Sequence, residues 1–213
     1  MDTKLLLATH NQAKLTELKL GASEFLKDVQ ILSLHDLQIQ EDPEETGNTF
    51  EDNAKLKAEF YSQKTGLPTL ADDGGLMISY LNNEPGVKSK RWLGYDATDE
   101  EMISYALKRL QNAGGDARIA RLQTTLVYYN PHLGRDNPRI VPSIYIETES
   151  ILGHISHAPS KHATHGYPYR AIFIVDQFHK YYDELTPEEH LQINHRLKAL
   201  KRLAQKIKID LIK

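Results

Sequence analysis

Two adjacent acids, Asp72 and Asp73, stand in "LPTLADDGGLMISYL" (67–81), with apolar residues on both sides. Adjacent residues send their side chains in different directions, so the pair offers carboxylates to two surroundings. With "LPTLA" read as a strand, the pair sits at its end, where the binding crevices of α/β sheets open. Gly74 and Gly75 then read as a sharp turn that lets the backbone approach a ligand. The competing reading is a solvated D-G turn. Upstream, "EDPEE" adds Glu41, Asp42, Glu44 and Glu45. Carboxylates gathered in a cleft suit Mg²⁺, which takes one or two of them together with waters and substrate phosphates. Read alone, the same segment is a solvated acidic loop.

A second group lies in "THNQAK" (9–14), between a short apolar run and an amphipathic one. Free backbone N–H groups at a helix start attract anions. Thr9 and Asn11 add side-chain donors there, and Lys14 adds a point charge one turn in. Either Thr9 or Asn11 also reads as a plain helix cap. The glycine-rich P-loop pattern is absent. A third group is "HISHAPSKHATH", with His154, His157, His162 and His165 within a short span. Imidazoles ligate zinc, so a His-rich metal-binding module is an alternative function, although the spacing matches known zinc sites only loosely.

The elements that must carry these groups alternate between strand and helix. "KLLLA" (4–8) predicts a buried strand, and "AKLTELKLGASEFL" a helix with Leu15, Leu18, Ala22 and Phe25 on one face. "VQILSL" (29–34) predicts a strand. Thr49 with Asp52 starts a helix that stops at Gly66. "LMISYL" is a further apolar segment and "NNEPG" a turn. Thr98 and Glu101 form a capping box, and residues 117–129 and 140–156 predict long strands. "AIFIV" (171–175) predicts a buried strand. "TPEEHLQINHRLKALKRLAQKI" predicts one final helix, with Thr186 as cap, Pro187 at the first position and Glu189 closing the box. Strands alternating with helices predict an α/β fold with a mixed sheet, in one domain spanning 1–213.

Composition narrows the function. Hydrophobic residues make up 40% of the 213, enough for a substantial core. No apolar run approaches the ~20 residues that span a bilayer, and the N-terminal run is too short for a signal peptide. Cysteine is absent, which excludes disulfides and cysteine-ligated metals. The expectation is a cytoplasmic protein with no membrane partner. A net charge of −3 gives no sign of a nucleic-acid partner, while local lysines and arginines leave small anions possible.

Taken in order, the T-x-N-x-x-K loop, "EETGNTFEDNAKLKA", "LPTLADDGGL", "EPGVKSKRW" and "INHRLKAL" resemble the Ham1 family of inosine/xanthosine triphosphate pyrophosphatases. The resemblance covers nearly the whole chain. It implies an elongated two-lobed α/β fold, a central mixed β-sheet flanked by helices, a nucleotide cleft between the lobes, and a homodimer. It implies hydrolysis of ITP, dITP or XTP to monophosphate and pyrophosphate with Mg²⁺, cleansing nucleotide pools. By position, Thr9, Asn11 and Lys14 would hold the triphosphate. Glu44 or Glu45 and Asp73 would hold Mg²⁺, Asp73 would activate water, and Asp72 would support them. Lys57 would face the phosphates. Arg91 matches the arginine after the P-G turn, Tyr167 an aromatic that stacks on the base, and His195 with Arg196 the pair that reads the 6-oxo group.

The chain also departs from the family pattern. "GYPYRAIF" (166–173) replaces G-F-G-Y-D-P-I-F, which brings Pro168, Arg170 and Ala171 into a segment that also carries Tyr169. Gly74 replaces a serine, His190 a lysine, Asn194 a serine, and His10 is unusual in the first loop. The positions expected to touch substrate therefore include His10, Gly74, Tyr169, Arg170 and His190. An arginine at 170 can only donate hydrogen bonds. If it pointed at the base it would favour xanthine, which carries a 2-oxo group, over guanine. A second alternative is a nucleotide binder of altered or lost specificity.

Overall fold

The computed structural model describes residues 3–131, 142–162 and 166–212. Among these, the elements run β1 (Lys4–Ala8), α1 (Gln12–Phe25), β2 (Gln30–Ser33), α2 (Phe50–Thr65), β3 (Thr69–Ile78), β4 (Glu84–Pro85), α3 (Asp99–Arg109), β5 (Ile119–Asn130), β6 (Ser143–Ile155), β7 (Phe173–Val175), β8 (Lys180–Tyr181), α4 (Pro187–Ile193) and α5 (His195–Ile212). The strands form one sheet in the order β2-β1-β3-β5-β6-β7-β8, with β4 paired to β3. β1 runs parallel to β2 and β3, whereas β3/β4, β6/β7 and β7/β8 are antiparallel, so the sheet is mixed as the alternation of elements predicts.

The chain divides into two compact units. Unit 1 comprises Met1–Asp73, Thr124–Glu149 and Arg196–Lys213, and unit 2 comprises Gly74–Gln123 and Ser150–His195. In unit 1 the period-2 alternation of the strands sorts the core into two layers. Leu5 and Leu7 of β1, Leu70 of β3, and Leu126 and Tyr128 of β5 pack with Leu15 and Leu18 of α1 and Leu200 and Leu203 of α5. Leu6 and Ala8, Ala71, and Val127 and Tyr129 pack on the other side with Ala54, Ala58 and Tyr61 of α2. Leu5, Leu6 and Leu7 have no exposed surface, and burying each contributes ~1.5–3 kcal/mol. Gly21 of α1 brings α5 close, since a Cβ there would lie 2.7 Å from Leu200 Cδ2. In unit 2, Leu76 and Ile78 of β3 pack with Met102 and Ala106 of α3, Ile151 and Ile155 of β6, and Tyr169 and Phe173.

Three capping boxes start helices as the sequence predicts, at Thr49/Asp52, Thr98/Glu101 and Thr186/Glu189. Three expectations need correction. "DDGG" is neither a strand end nor a turn, because β3 runs unbroken through it to Ile78. The final helical pattern is two helices, because Asn194 leaves helical geometry with ψ of 105° and ends α4; the border between the units follows one residue later. The strand predicted over 171–175 begins only at Phe173, after a 3₁₀ turn over Pro168–Ile172. Residues 140 and 141 of the strand predicted over 140–156 lie outside the described residues.

Candidate active site

The alternation of β3 explains the paired aspartates. Leu70 points into the α1/α5 layer and Ala71 into the α2 layer. Asp72 therefore follows Leu70, and Asp73 follows Ala71. The last residue of β1 to pair with β3 is Ala8, opposite Ala71, so both acids project just beyond the carboxyl end of β1.

Asp72 is buried at 2% exposure, and its partners come from that first layer. Lys14 Nζ lies 2.6 Å from Oδ1, Arg196 Nε donates to Oδ2 at 2.9 Å, and Thr124 Oγ1 also donates to Oδ2. Arg196 Nη1 donates in turn to Glu17. Burial works to raise the pKa of Asp72, but Arg196 and Lys14 outweigh it and hold the carboxyl well below the usual range. Asp72 is a permanent anion that ties α1, β3, β5 and α5 together.

Asp73 meets α2 instead. Lys57 Nζ sits 3.4 Å from its Oδ1 and 2.9 Å from Oε1 of Glu45. Burial raises the pKa of Asp73, with Glu45 and Asp72 adding to the effect, while Lys57 and Lys14 oppose it without cancelling it. Burial works against the charge of Lys57, but Asp73 and Glu45 hold its proton more tightly than usual. The two neighbouring acids are thus pushed in opposite directions, the pattern that separates a fixed electrostatic group from a proton acceptor.

The loop that brings Glu45 here is pinned to α2. Gly47 N donates to Asn53 Oδ1 at 2.8 Å, and a Cβ on Gly47 would fall 2.5 Å from both that oxygen and Asp52 Cβ. Tyr61, one turn beyond Lys57, donates to Asp42 Oδ1 and to the carbonyl of Glu41, both at 2.9 Å. Both Glu44 and Glu45 are exposed, and the ion pair with Lys57 makes Glu45 the glutamate that joins the group.

A divalent cation fits this donor set. Asp73 Oδ2 is buried with no hydrogen-bond partner among the described residues, and the Glu45 carboxylate lies across Lys57 from it. Mg²⁺ needs only one or two protein carboxylates beside waters and phosphates. No group of three or more histidines and carboxylates able to hold a metal occurs among the described residues. In the histidine run, His154 pairs with Asp176 at 3.0 Å, and His165 lies outside the described residues.

The remaining predicted residues are distributed as follows. Asn11 caps α1, its Oδ1 accepting from the backbone N–H groups of Ala13 and Lys14, so those two donors are already engaged. Thr9 Oγ1 accepts from Asn11 N. The ring of His10 sits 3.3 Å from both the Glu41 carbonyl and the Tyr61 hydroxyl. Thr9, His10 and Gln12 line an open cavity of about 700 Å³ with residues of the 34–40 loop, to which neither aspartate contributes. Gly74 lies within β3.

In unit 2, Arg91 is exposed, 3.8 Å from Asp96. Arg170 is buried between two rings, its guanidinium carbon 3.5 Å from the centre of Tyr167 and 4.5 Å from that of Tyr182. His190 Nε2 is 3.0 Å from the Tyr182 hydroxyl, and His195 is buried.

Three of the sequence expectations change here. Tyr169 is a core residue whose hydroxyl donates to the Ser89 carbonyl. Arg196 commits Nε to Asp72 and Nη1 to Glu17. Arg170 stacks on tyrosines rather than standing free as a donor, which removes the basis for a xanthine preference. Sequence reasoning missed Glu17, Tyr61, Thr124 and Tyr182. Glu17 and Tyr61 had a signal: each lies one helical turn from a lysine that pairs with one of the two aspartates, on the same face. Thr124 and Tyr182 had none.

The fold is thus α/β, with two oppositely tuned acids just beyond the carboxyl end of β1 and lysines from two helices upon them. Residues 5–206 match the Ham1 family, and the chain belongs to that family. It is 37% identical over 207 residues to a dITP/XTP pyrophosphatase of Thermoanaerobacter pseudethanolicus, covering 94% of each chain. It is 39% identical over 200 residues to one from Shigella flexneri, covering 94% of this chain and 95% of that one. The fold matches a HAM1 protein from Coxiella burnetii with a TM-score of 0.79 at 33% identity, over 97% of this chain and 98% of the other.

Proposed function

We propose that this protein hydrolyses non-canonical purine nucleoside triphosphates, dITP and XTP among them, to the monophosphate and pyrophosphate with Mg²⁺, and so clears them from nucleotide pools. The observation that carries the reading is the Asp73–Lys57–Glu45 group, with its unpartnered buried oxygen beside the permanently charged Asp72. The names of the relatives, dITP/XTP pyrophosphatases, supply the substrate class.

Glu45 and Asp73 would hold the Mg²⁺, which when bound neutralises phosphate charge and makes water easier to deprotonate. Asp73 accepts the proton of the attacking water, a role suited to a carboxylate whose surroundings raise its proton affinity. Lys57 offsets negative charge as the bond between the α- and β-phosphates breaks and pyrophosphate leaves. Asp72 keeps Lys14 and Arg196 in place. No serine or cysteine nucleophile is needed.

The test is a panel of nucleoside triphosphates incubated with the protein and Mg²⁺, with products separated by chromatography. The reading expects equimolar monophosphate and pyrophosphate from dITP, ITP and XTP, and little turnover of ATP and GTP. Orthophosphate with a diphosphate would overturn it, as would binding of dITP without any product.

A further inference from the structure

Lys57 stands on the buried face of α2, between Ala54 and Tyr61. Its ammonium lies 2.9 Å from Glu45 Oε1 and 3.4 Å from Asp73 Oδ1. These are the carboxylates assigned above to Mg²⁺, and a cation of the protein's own already spans them. We propose that Lys57 is an internal stand-in for the divalent ion: it holds the carboxylate pair while no nucleotide is bound, keeps free metal out, and yields the pair when a triphosphate arrives with its metal. The inference rests on the two-carboxylate reading of the site.

Two features make the exchange local. The Glu45 loop is fixed to α2 through Gly47 and Asn53, and Asp73 is fixed in β3. Only the lysine stem has to move, and a four-carbon stem ending in a compact ammonium moves easily. The triphosphate provides the destination, since its oxygens replace the two carboxylates as partners of the ammonium. Metal and triphosphate then favour each other's binding, and that coupling is reciprocal. Without the lysine, the two carboxylates on fixed backbone would lose the ammonium between them, and a divalent ion would be drawn in with no nucleotide present.

The probe is Mn²⁺ alone, with protein-bound ion followed by water-proton relaxation on the full chain, with and without inorganic tripolyphosphate. The wild type should bind Mn²⁺ weakly, and tripolyphosphate should tighten that binding. Lys57→Met should bind Mn²⁺ without tripolyphosphate at least about tenfold more tightly than wild type, because a positive charge within 3.4 Å of both ligands is gone. Its response to tripolyphosphate should shrink. Lys57→Gln is the second variant, and circular dichroism establishes that each folds. Folded variants that bind Mn²⁺ no more tightly than wild type overturn the proposal. So does a wild type that binds Mn²⁺ tightly alone and gains nothing from tripolyphosphate, a result that needs no variant. If Asp73→Asn leaves the binding seen with tripolyphosphate unchanged, the two-carboxylate site itself is wrong, and the stand-in role falls with it.

Discussion

Asp72→Asn and Asp73→Asn change neighbouring residues by the same single charge, and they should have opposite effects on stability. The Asp72 side chain has no exposed surface, and it neutralises Lys14 and Arg196, whose side chains are 15% and 3% exposed. Asparagine keeps the shape but removes the charge that both cations face, while Glu17 stays paired with Arg196. Breaking a buried ion pair on one side costs ~3–5 kcal/mol. At ~2–4 °C per kcal/mol for a chain of this size, the melting temperature should fall by roughly 6–20 °C. Asp73 differs, because burial opposes its charge and Lys57 keeps Glu45 when the aspartate is neutralised. Asp73→Asn should leave the melting temperature unchanged or raise it, while turnover collapses. The assay is thermal denaturation at neutral pH with a chelator present, followed by calorimetry or circular dichroism. Equal losses in the two variants would refute the division of labour between the acids, as would a larger loss for Asp73→Asn.

Gly47→Ala should lower kcat/KM for dITP by ~10², because its Cβ must displace the loop that carries Glu45 and misplacing a group by about 1 Å costs that much; steady-state kinetics beside a melting curve checks that the loss exceeds any loss of fold. Arg170 and Tyr167 should show a coupling of ~0.5–2 kcal/mol in a double-mutant cycle of Arg170→Ala with Tyr167→Leu, read from denaturant unfolding. Zero coupling would mean that the stack does not hold the segment. Chelation should abolish turnover and added Mg²⁺ should restore it, measured as pyrophosphate release.

Much of the frame can be read from the sequence, because the signals are local. The capping residues of Thr49, Thr98 and Thr186 lie three positions apart within each box, and after Lys4 the first strand reads "LLLA", apolar throughout as a stretch buried on both faces must be. The site was legible as a list of residues and illegible as an arrangement. "DDGG" has the composition of a turn, and it is a strand only because its partners pair with it. The charge of Asp72 is bearable when buried because Lys14, Thr124 and Arg196 reach it from distant parts of the chain. The break at Asn194 leaves no mark in periodicity, since apolar residues keep helical spacing on both sides of it. Arg170 has the chemistry of a base reader and the position of a stacked core residue, and only its two tyrosine neighbours distinguish these.

The central claim is that Asp73 takes the proton from water as the α–β phosphate bond is cleaved. Its most direct test is pyrophosphate release from dITP at saturating Mg²⁺ by the wild type and by folded Asp73→Asn. The account predicts equimolar dIMP and pyrophosphate from the wild type, with a rate ~10²–10⁴ lower in the variant. A variant that keeps more than about a tenth of the wild-type rate would contradict it, against the ~10² expected from losing a general base.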